Sequence, residues 1–305
     1  MYQTGLVLEG GGMKGVYSSG VLDFFLDKGL TFSSCYGVSA GACSLCSFLS
    51  KQRGRAYHTT VDYLEDKNYC SLYSLLKTGD LFGADMCYRQ IPETLNPYDY
   101  ETFDQYQGKF YSVVTNIETG CPEYIHIRDM HADIEAIRAS ASLPLVSRNV
   151  KIKDRLYLDG GISDAIPLRK SMEDGNRKNV VIMTKEVGYR RQPSGAMSLI
   201  KMRYRKYPKV YELMKNRHNV YNDTLDFLAE QVEKGTVFLI QPKVKSDVGR
   251  IEKNRDKLKA LYEEGYRDGQ DCYDDLLAFL KKSVPPSIFC WRSRSHCSSF
   301  RRQWS

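Results

Sequence analysis

Phe32-Ser33-Ser34-Cys35-Tyr36-Gly37-Val38-Ser39-Ala40-Gly41 is the stretch on which the reading of this chain turns. Phe32 to Tyr36 has the composition of a short strand, and Ser39 to Lys51 the small and apolar residues of a helix. Between them, Gly37-Val38-Ser39-Ala40-Gly41 has the G-x-S-x-G form of a nucleophile elbow, in which a sharp turn holds a serine hydroxyl above a sheet. The residues around the serine must be small to allow that turn. Alone, the pentapeptide reads equally as a glycine-rich turn that contains a serine. The strand before it and the helix after it are the context that an elbow requires.

Working outward, Leu6-Val7-Leu8 is predicted as a first strand and Val16 to Lys28 as a helix closed by Gly29. Strands are expected at Tyr111 to Ile117, Tyr124 to Ile127, Leu156 to Leu158, Val180 to Thr184 and Thr236 to Ile240, with a helix at Ile134 to Ser140. A polar, Tyr-rich stretch up to about residue 107 reads as helices with loops, and a long amphipathic helix runs from about Ile251 to Lys282. Such alternation specifies an α/β fold, with a central, mostly parallel sheet flanked by helices and a helical C-terminal extension. The division expected is 1–186 for the catalytic domain, 187–283 for a mainly helical region packed on it, and 284–305 for an irregular basic tail. With 305 residues, 42% of them hydrophobic, and a mean hydropathy of −0.45, the chain has material for a core, which excludes disorder, collagen and coiled coil. Its apolar runs, such as Val180-Val181-Ile182-Met183, fall far short of the roughly 20 residues that cross a bilayer.

A second glycine-rich turn, Gly10-Gly11-Gly12-Met13-Lys14-Gly15, also joins a strand to a helix. It fits G-x-G-x-x-G, but the acidic residue that a dinucleotide site needs at the end of the second strand is missing: that strand ends in Cys35-Tyr36-Gly37. Val16 stands where a P-loop needs lysine. The remaining use of such a turn is an oxyanion hole, with backbone N–H groups at a helix N-terminus stabilising a tetrahedral intermediate.

A serine nucleophile needs a base. Five histidines are present, His58, His126, His131, His218 and His296; in the order Ser…Asp…His the third member would have to be His218, or His296 in the basic tail, and His218 lies in a basic helical segment with no glycine or loop signal to present it and reads better as a surface or capping residue. The other candidate is Asp159 in Leu158-Asp159-Gly160-Gly161, a carboxylate at a strand end. Taken alone it reads equally as an Asx-turn aspartate.

Together these pieces resemble the patatin-like phospholipase family. Four blocks stand in the family's order: Glu9-Gly10-Gly11-Gly12-Met13-Lys14-Gly15, similar to D-G-G-G-x-R-G; Gly37-Val38-Ser39-Ala40-Gly41; Arg138-Ala139-Ser140-Ala141-Ser142-Leu143-Pro144, similar to A-S-x-x-x-P; and Asp159-Gly160-Gly161. The resemblance implies the patatin-like three-layer fold and a hydrolase of phospholipids or other acyl lipids that works without metal or cofactor. Ser39 would be the nucleophile, Asp159 the base with no histidine, and Gly10, Gly11 and Gly12 the oxyanion hole, supported by Lys14, Gly15, Gly37, Gly41, Gly160 and Gly161. Lys14 in place of arginine offers a point charge where the family has a planar fork. Asp164 in Asp164-Ala165-Ile166-Pro167 replaces the family's asparagine. A dyad of this kind needs a dry pocket, so residues 57–107 are expected to cover the site. The reading from another class is a non-catalytic nucleotide- or lipid-binding α/β module that uses the glycine turns for phosphate.

The net charge of +7 is uneven. Residues 284–305 carry four arginines and no acid, which leaves +3 for the rest. From Gly188 to Asn222 nine basic residues, between 190 and 217, face one acid, Glu212, and are interleaved with tyrosines. This stretch reads equally as a peripheral membrane contact for anionic headgroups and as a solvated helix face. Nucleic acid is not expected as a partner, since no helix-turn-helix, zinc or RNA-binding motif accompanies the charge. The N-terminus has no basic n-region or cleavage site, and the nine cysteines, odd in number and mostly in apolar stretches, read as buried free thiols. The location expected is therefore cytoplasmic, or peripheral at the membrane.

Overall fold

The computed structural model describes residues 1–282, so the basic tail lies outside the described residues. In chain order the elements are β1 (Tyr2–Leu8), α1 (Val16–Asp27), β2 (Phe32–Val38), α2 (Ala40–Leu49), α3 (Arg55–Val61), α4 (Leu72–Thr78), α5 (Tyr100–Asp104), β3 (Lys109–Asn116), β4 (Pro122–Ile127) and α6 (Met130–Ser140). There follow β5 (Val150–Ile152), β6 (Arg155–Asp159), α7 (Leu168–Glu173), β7 (Asn179–Ile182), α8 (Met197–Arg203), α9 (Pro208–Glu233), β8 (Val237–Ile240), α10 (Arg255–Asp271) and α11 (Tyr273–Lys281). Single 3₁₀ turns follow β1 and β6, and a wide-turned π-helix spans Met86–Leu95 with Pro92 inside it.

The sheet runs β5-β6-β3-β2-β1-β7-β8, with β4 beside β3. β3, β2, β1, β7 and β8 are parallel, and β4, β5 and β6 join antiparallel at one side. Gly5 to Leu8 of β1 and all of β7 are buried on both faces, as strands sandwiched between helix layers must be. This is the α/β fold that the alternating pattern specifies. The two glycine-rich turns fall at the C-terminal ends of the adjacent strands β1 and β2, where open α/β sheets place their sites.

Register brings a third strand end to the same place. β4 pairs with Phe110 through Thr115 along one edge of β3. On the other edge β2 occupies Lys109 to Val113, ending at Val38 opposite Val113, and β6 occupies Val114 to Asn116, ending at Asp159 opposite Val114. β2 runs parallel to β3 and β6 antiparallel, so their C-terminal ends meet head to head.

The long helix expected over 251–282 is two helices, α10 and α11. Cys272 leaves the helical region at φ −95° and ψ 7°, and the change of direction lets Leu258 and Leu261 of α10 and Leu276 and Leu280 of α11 all enter one core. α10 lies across α1 at backbone contact. A Cβ on Gly20 would stand 2.0 Å from Tyr262 O, and one on Gly265 would stand 2.0 Å from Tyr17 O. Three tyrosine hydroxyls tie the pair: Tyr17 to Asp268 at 2.8 Å, Tyr262 to Asp23 at 2.7 Å and Tyr266 to Asp27 at 2.8 Å. Gly265→Ala is therefore expected to force the helices apart and destabilise the protein by about 1–3 kcal/mol. Urea denaturation with an unshifted midpoint would show that the crossing has slack.

Candidate active site

Ser39 stands between β2 and α2 with φ 55° and ψ −124°, a strained conformation for a residue with a side chain. Its backbone N–H donates to Ser140 Oγ at 2.8 Å, and Ser140 Oγ donates to Val113 O at 2.6 Å. The fully buried hydroxyl of Ser140 thus ties the turn to β3. The glycine loop packs directly on the serine. A Cβ on Gly10 would come within 2.8 Å of Ser39 Cβ and 2.9 Å of Val38 O, so no larger residue fits there. Gly12 has φ +60° and starts the 3₁₀ turn that leads into α1.

Asp159, 1% exposed, ends β6. Its N–H donates to Ser142 O at 2.8 Å, its carbonyl accepts from Thr115 Oγ1 at 2.8 Å, and its Oδ1 accepts from Gly161 N at 2.7 Å. Oδ2 is buried without a full hydrogen bond. Burial pushes the carboxyl above the usual aspartate range; the Ser39 hydroxyl, the charge of Arg217, the Gly161 N–H and the charge of Arg250 pull the other way. The Ser39 hydroxyl is thus close enough to favour the carboxylate, although no full hydrogen bond joins the two.

Ser39, 9% exposed, opens into a cavity of about 420 Å³, within the usual range for ligand sites. Its walls are mainly apolar, and residues 55–100 supply one side of them, among them Tyr69, Phe82, Tyr88 and Tyr98, within the segment expected to cover the site. Leu143, Pro144 and Leu145 close another side. No histidine among the described residues lines it. His58 pairs with Asp62, His126 accepts from Arg128, and His131 stacks on Tyr100; His296 lies outside the described residues.

A family model described as patatin-like phospholipase matches residues 6–170, more than half of the chain. The chain belongs to the patatin-like phospholipase family. A second model, a domain of unknown function, matches residues 207–281. The chain is 32% identical over 186 residues to the uncharacterized protein YjjU of Escherichia coli K12, covering 59% of this chain and 51% of that protein. It is 27% identical over 194 residues to the probable lipid hydrolase 463L of Invertebrate iridescent virus 6, covering 58% and 66%. The chain thus spans about half to two thirds of the length of these curated relatives. Among solved structures, VipD from Legionella pneumophila superposes with a TM-score of 0.46 at 14% identity, covering 90% of this chain and 67% of that one.

In this patatin-like chain the contacts of several residues around the site were not legible in the sequence. Glu9, 1% exposed, accepts from Thr184 N at 2.8 Å, Thr184 Oγ1 at 3.0 Å and Tyr221 Oη at 2.6 Å, joining the ends of β1 and β7 to α9. Lys14 does not reach Ser39's cavity: its Nζ contacts Ser246 O at 3.4 Å. Arg217 and Arg250 do line that cavity. Arg217 was legible only as one of nine basic residues in a polar stretch, and nothing in the sequence distinguished it. Arg191 also turns inward, 9% exposed and 4.2 Å from the centre of the Tyr221 ring, so the basic stretch is not one solvated face.

Ser140→Ala would leave Ser39 N–H and Val113 O without their shared partner. The expected cost is about 1–3 kcal/mol, seen as a lower urea midpoint at unchanged m value. No loss would mean that the elbow holds its shape without that bond.

Proposed function

We propose that this protein is a serine acyl-ester hydrolase acting on phospholipids or other acyl lipids through a Ser39–Asp159 dyad. The observation that carries the reading is the strained Ser39 at the mouth of an apolar cavity, with Asp159 brought beside it by the head-to-head meeting of β2 and β6. Ser39 Oγ attacks the ester carbonyl while Asp159 takes its proton. The N–H groups of the Gly10–Gly12 loop, at the positive end of α1, receive the oxyanion. Collapse expels the alcohol or lysolipid, which takes the proton from Asp159 and leaves Ser39 acylated. Water then attacks the acyl-enzyme as Asp159 again accepts the proton, and collapse releases the fatty acid while Asp159 returns that proton to Ser39 Oγ. The family match and the relative named as a probable lipid hydrolase support the substrate class.

Ser39→Ala and Asp159→Asn are each expected to lower kcat/KM on p-nitrophenyl butyrate by about 10³-fold or more while the proteins stay folded. Near wild-type activity in Asp159→Asn would sink the dyad. Because the base must be charged and burial raises its pKa, activity is expected to fall on the acid side at a pH above the ordinary aspartate range. A kcat/KM profile flat down to pH 4 would contradict this.

Peripheral contact with an anionic membrane is proposed through α8. Its Ile200 is buried beside Leu145, a cavity-wall residue, while Leu199 and Met202 are 55% and 71% exposed beside the basic Lys201 and Arg203. A double variant, Leu199→Asp with Met202→Asp, is expected to reduce co-sedimentation with phosphatidylglycerol vesicles by severalfold. Binding that ignores both the variant and the anionic lipid content would remove this surface from the account.

A further inference from the structure

Arg217 on α9 and Arg250 between β8 and α10 both lie in residues 207–281, the stretch matched by the model of unknown function. Both line the cavity into which Ser39 opens. Arg217 Nε donates to Gly161 O at 2.6 Å, which fixes the guanidinium next to the Asp159 turn and leaves its amino groups free for other acceptors. The backbone of Arg250 is locked on the glycine loop: its carbonyl accepts from Met13 N at 3.0 Å and would lie 2.6 Å from a Cβ on Gly12. Its side chain is exposed at the rim. Neither arginine has a carboxylate at ion-pair distance among the described residues.

The surroundings add positive charge. Lys185 and Arg191 are both buried, and Arg191 Nε has no hydrogen-bond partner. Burial pulls Lys185 down to about 8, with Lys14, Arg250 and Arg191 acting the same way against Glu9. Burial likewise pulls Arg217 down to about 10, with Arg191 and Arg250 adding to it against Asp159. The largely desolvated Arg217 guanidinium, with one acceptor at Nε, is costly to keep charged and an arriving anion relieves that cost, while the exposed Arg250 adds positive charge at the rim without it. A planar fork saturates one carboxylate, whereas two forks set around one anion suit the several oxygens of a phosphate.

We propose that Arg217 and Arg250 form a phosphate subsite through which the C-terminal region selects acyl lipids bearing a phosphate near the scissile ester over neutral acylglycerols. The proposal rests on the acyl hydrolase reading and gives residues 207–281 a part in its specificity. In the bound state the ester carbonyl sits at Ser39, the acyl chain runs along the apolar walls, and the headgroup phosphate bridges the two arginines at the rim. Interactions with a charged partner of this kind are each worth about a factor of ten or more in affinity.

The test compares the full-length wild type with Arg217→Gln, Arg250→Gln and Arg250→Lys, each checked for folding by circular dichroism. Hydrolysis is measured in neutral-detergent micelles containing phosphatidylglycerol or diacylglycerol of identical acyl chains, and the readout is the ratio of kcat/KM for the two lipids. The ratio is expected to fall about 10- to 100-fold in either glutamine variant and to recover in part in Arg250→Lys. An unchanged ratio overturns the subsite. In parallel, glycerol 3-phosphate and inorganic phosphate are titrated calorimetrically into each protein. Tenfold weaker binding of glycerol 3-phosphate to the glutamine variants supports the subsite, and equal binding overturns it. Inorganic phosphate binding as tightly as glycerol 3-phosphate assigns the arginines to free phosphate and overturns the headgroup role. Should the wild type cleave neither lipid, the hydrolase reading fails and the titrations alone decide the anion site.

Discussion

Each edge of a strand offers its hydrogen-bonding groups to one neighbour at a time, and on β3 that limit shapes the centre of the molecule. With one edge filled by β4, the other is divided between β2 and β6 at the step from Val113 to Val114. Neither strand can extend past that step without displacing the other, so both must leave the sheet there. β2 leaves by the sharp turn at Ser39 and β6 by the 3₁₀ turn after Asp159. The strain at Ser39 is therefore not a local peculiarity of one pentapeptide; it follows from a strand that has to stop at a fixed residue and feed a helix at once. The last residue of α6 and the segment that follows it hold both ends, through Ser140 to Ser39 and through Ser142 to Asp159.

Placing a carboxylate at such a junction costs free energy, because the meeting of strand ends is dry. Asp159 is compensated by the Ser39 hydroxyl, the charge of Arg217, the Gly161 N–H and the charge of Arg250, with no direct ion pair among the described residues. In the proposed reaction this partial compensation has a purpose. A fully paired aspartate would be a very weak base, whereas one raised by burial is closer to the proton affinity that the serine hydroxyl demands. Glu9, one strand over, shows the opposite solution: three donors satisfy it completely, and it serves to join β1, β7 and α9.

Much of this was legible in the sequence. The two glycine turns, the strands before them and the helices after them carry local signals of composition and period, and Asp159 is marked by its strand end and following glycines. The family's third block, Arg138 to Pro144, was readable only by resemblance, because its work is done by hydroxyl and carbonyl groups bonding across the sheet and no local pattern announces that. The break between α10 and α11 escaped for a related reason. Cys272 is neither glycine nor proline, and the turn there comes from the need of two apolar faces to reach one core. The inward arginines were hidden by their company: in a stretch with nine basic residues, tertiary packing decides which of them face solvent.

That last point bears on what the C-terminal region is. An appendage would touch the sheet domain through replaceable surface side chains. Here α10 is set on α1 at backbone distance through Gly20 and Gly265, Met13 N is bonded to Arg250 O, and the Glu9 carboxylate depends on Tyr221. Each contact falls on β1, on the glycine loop after it or on the helix that the loop begins, the part of the fold on which the proposed oxyanion hole depends. The loop's geometry, and with it any N–H aimed at a developing charge, is thus fixed from both sides: by Ser39 and Val38 within the sheet domain, and by Arg250 from outside it. A region that braces the loop and also lends two arginines to the same cavity is placed to make the chemistry conditional on its own correct docking.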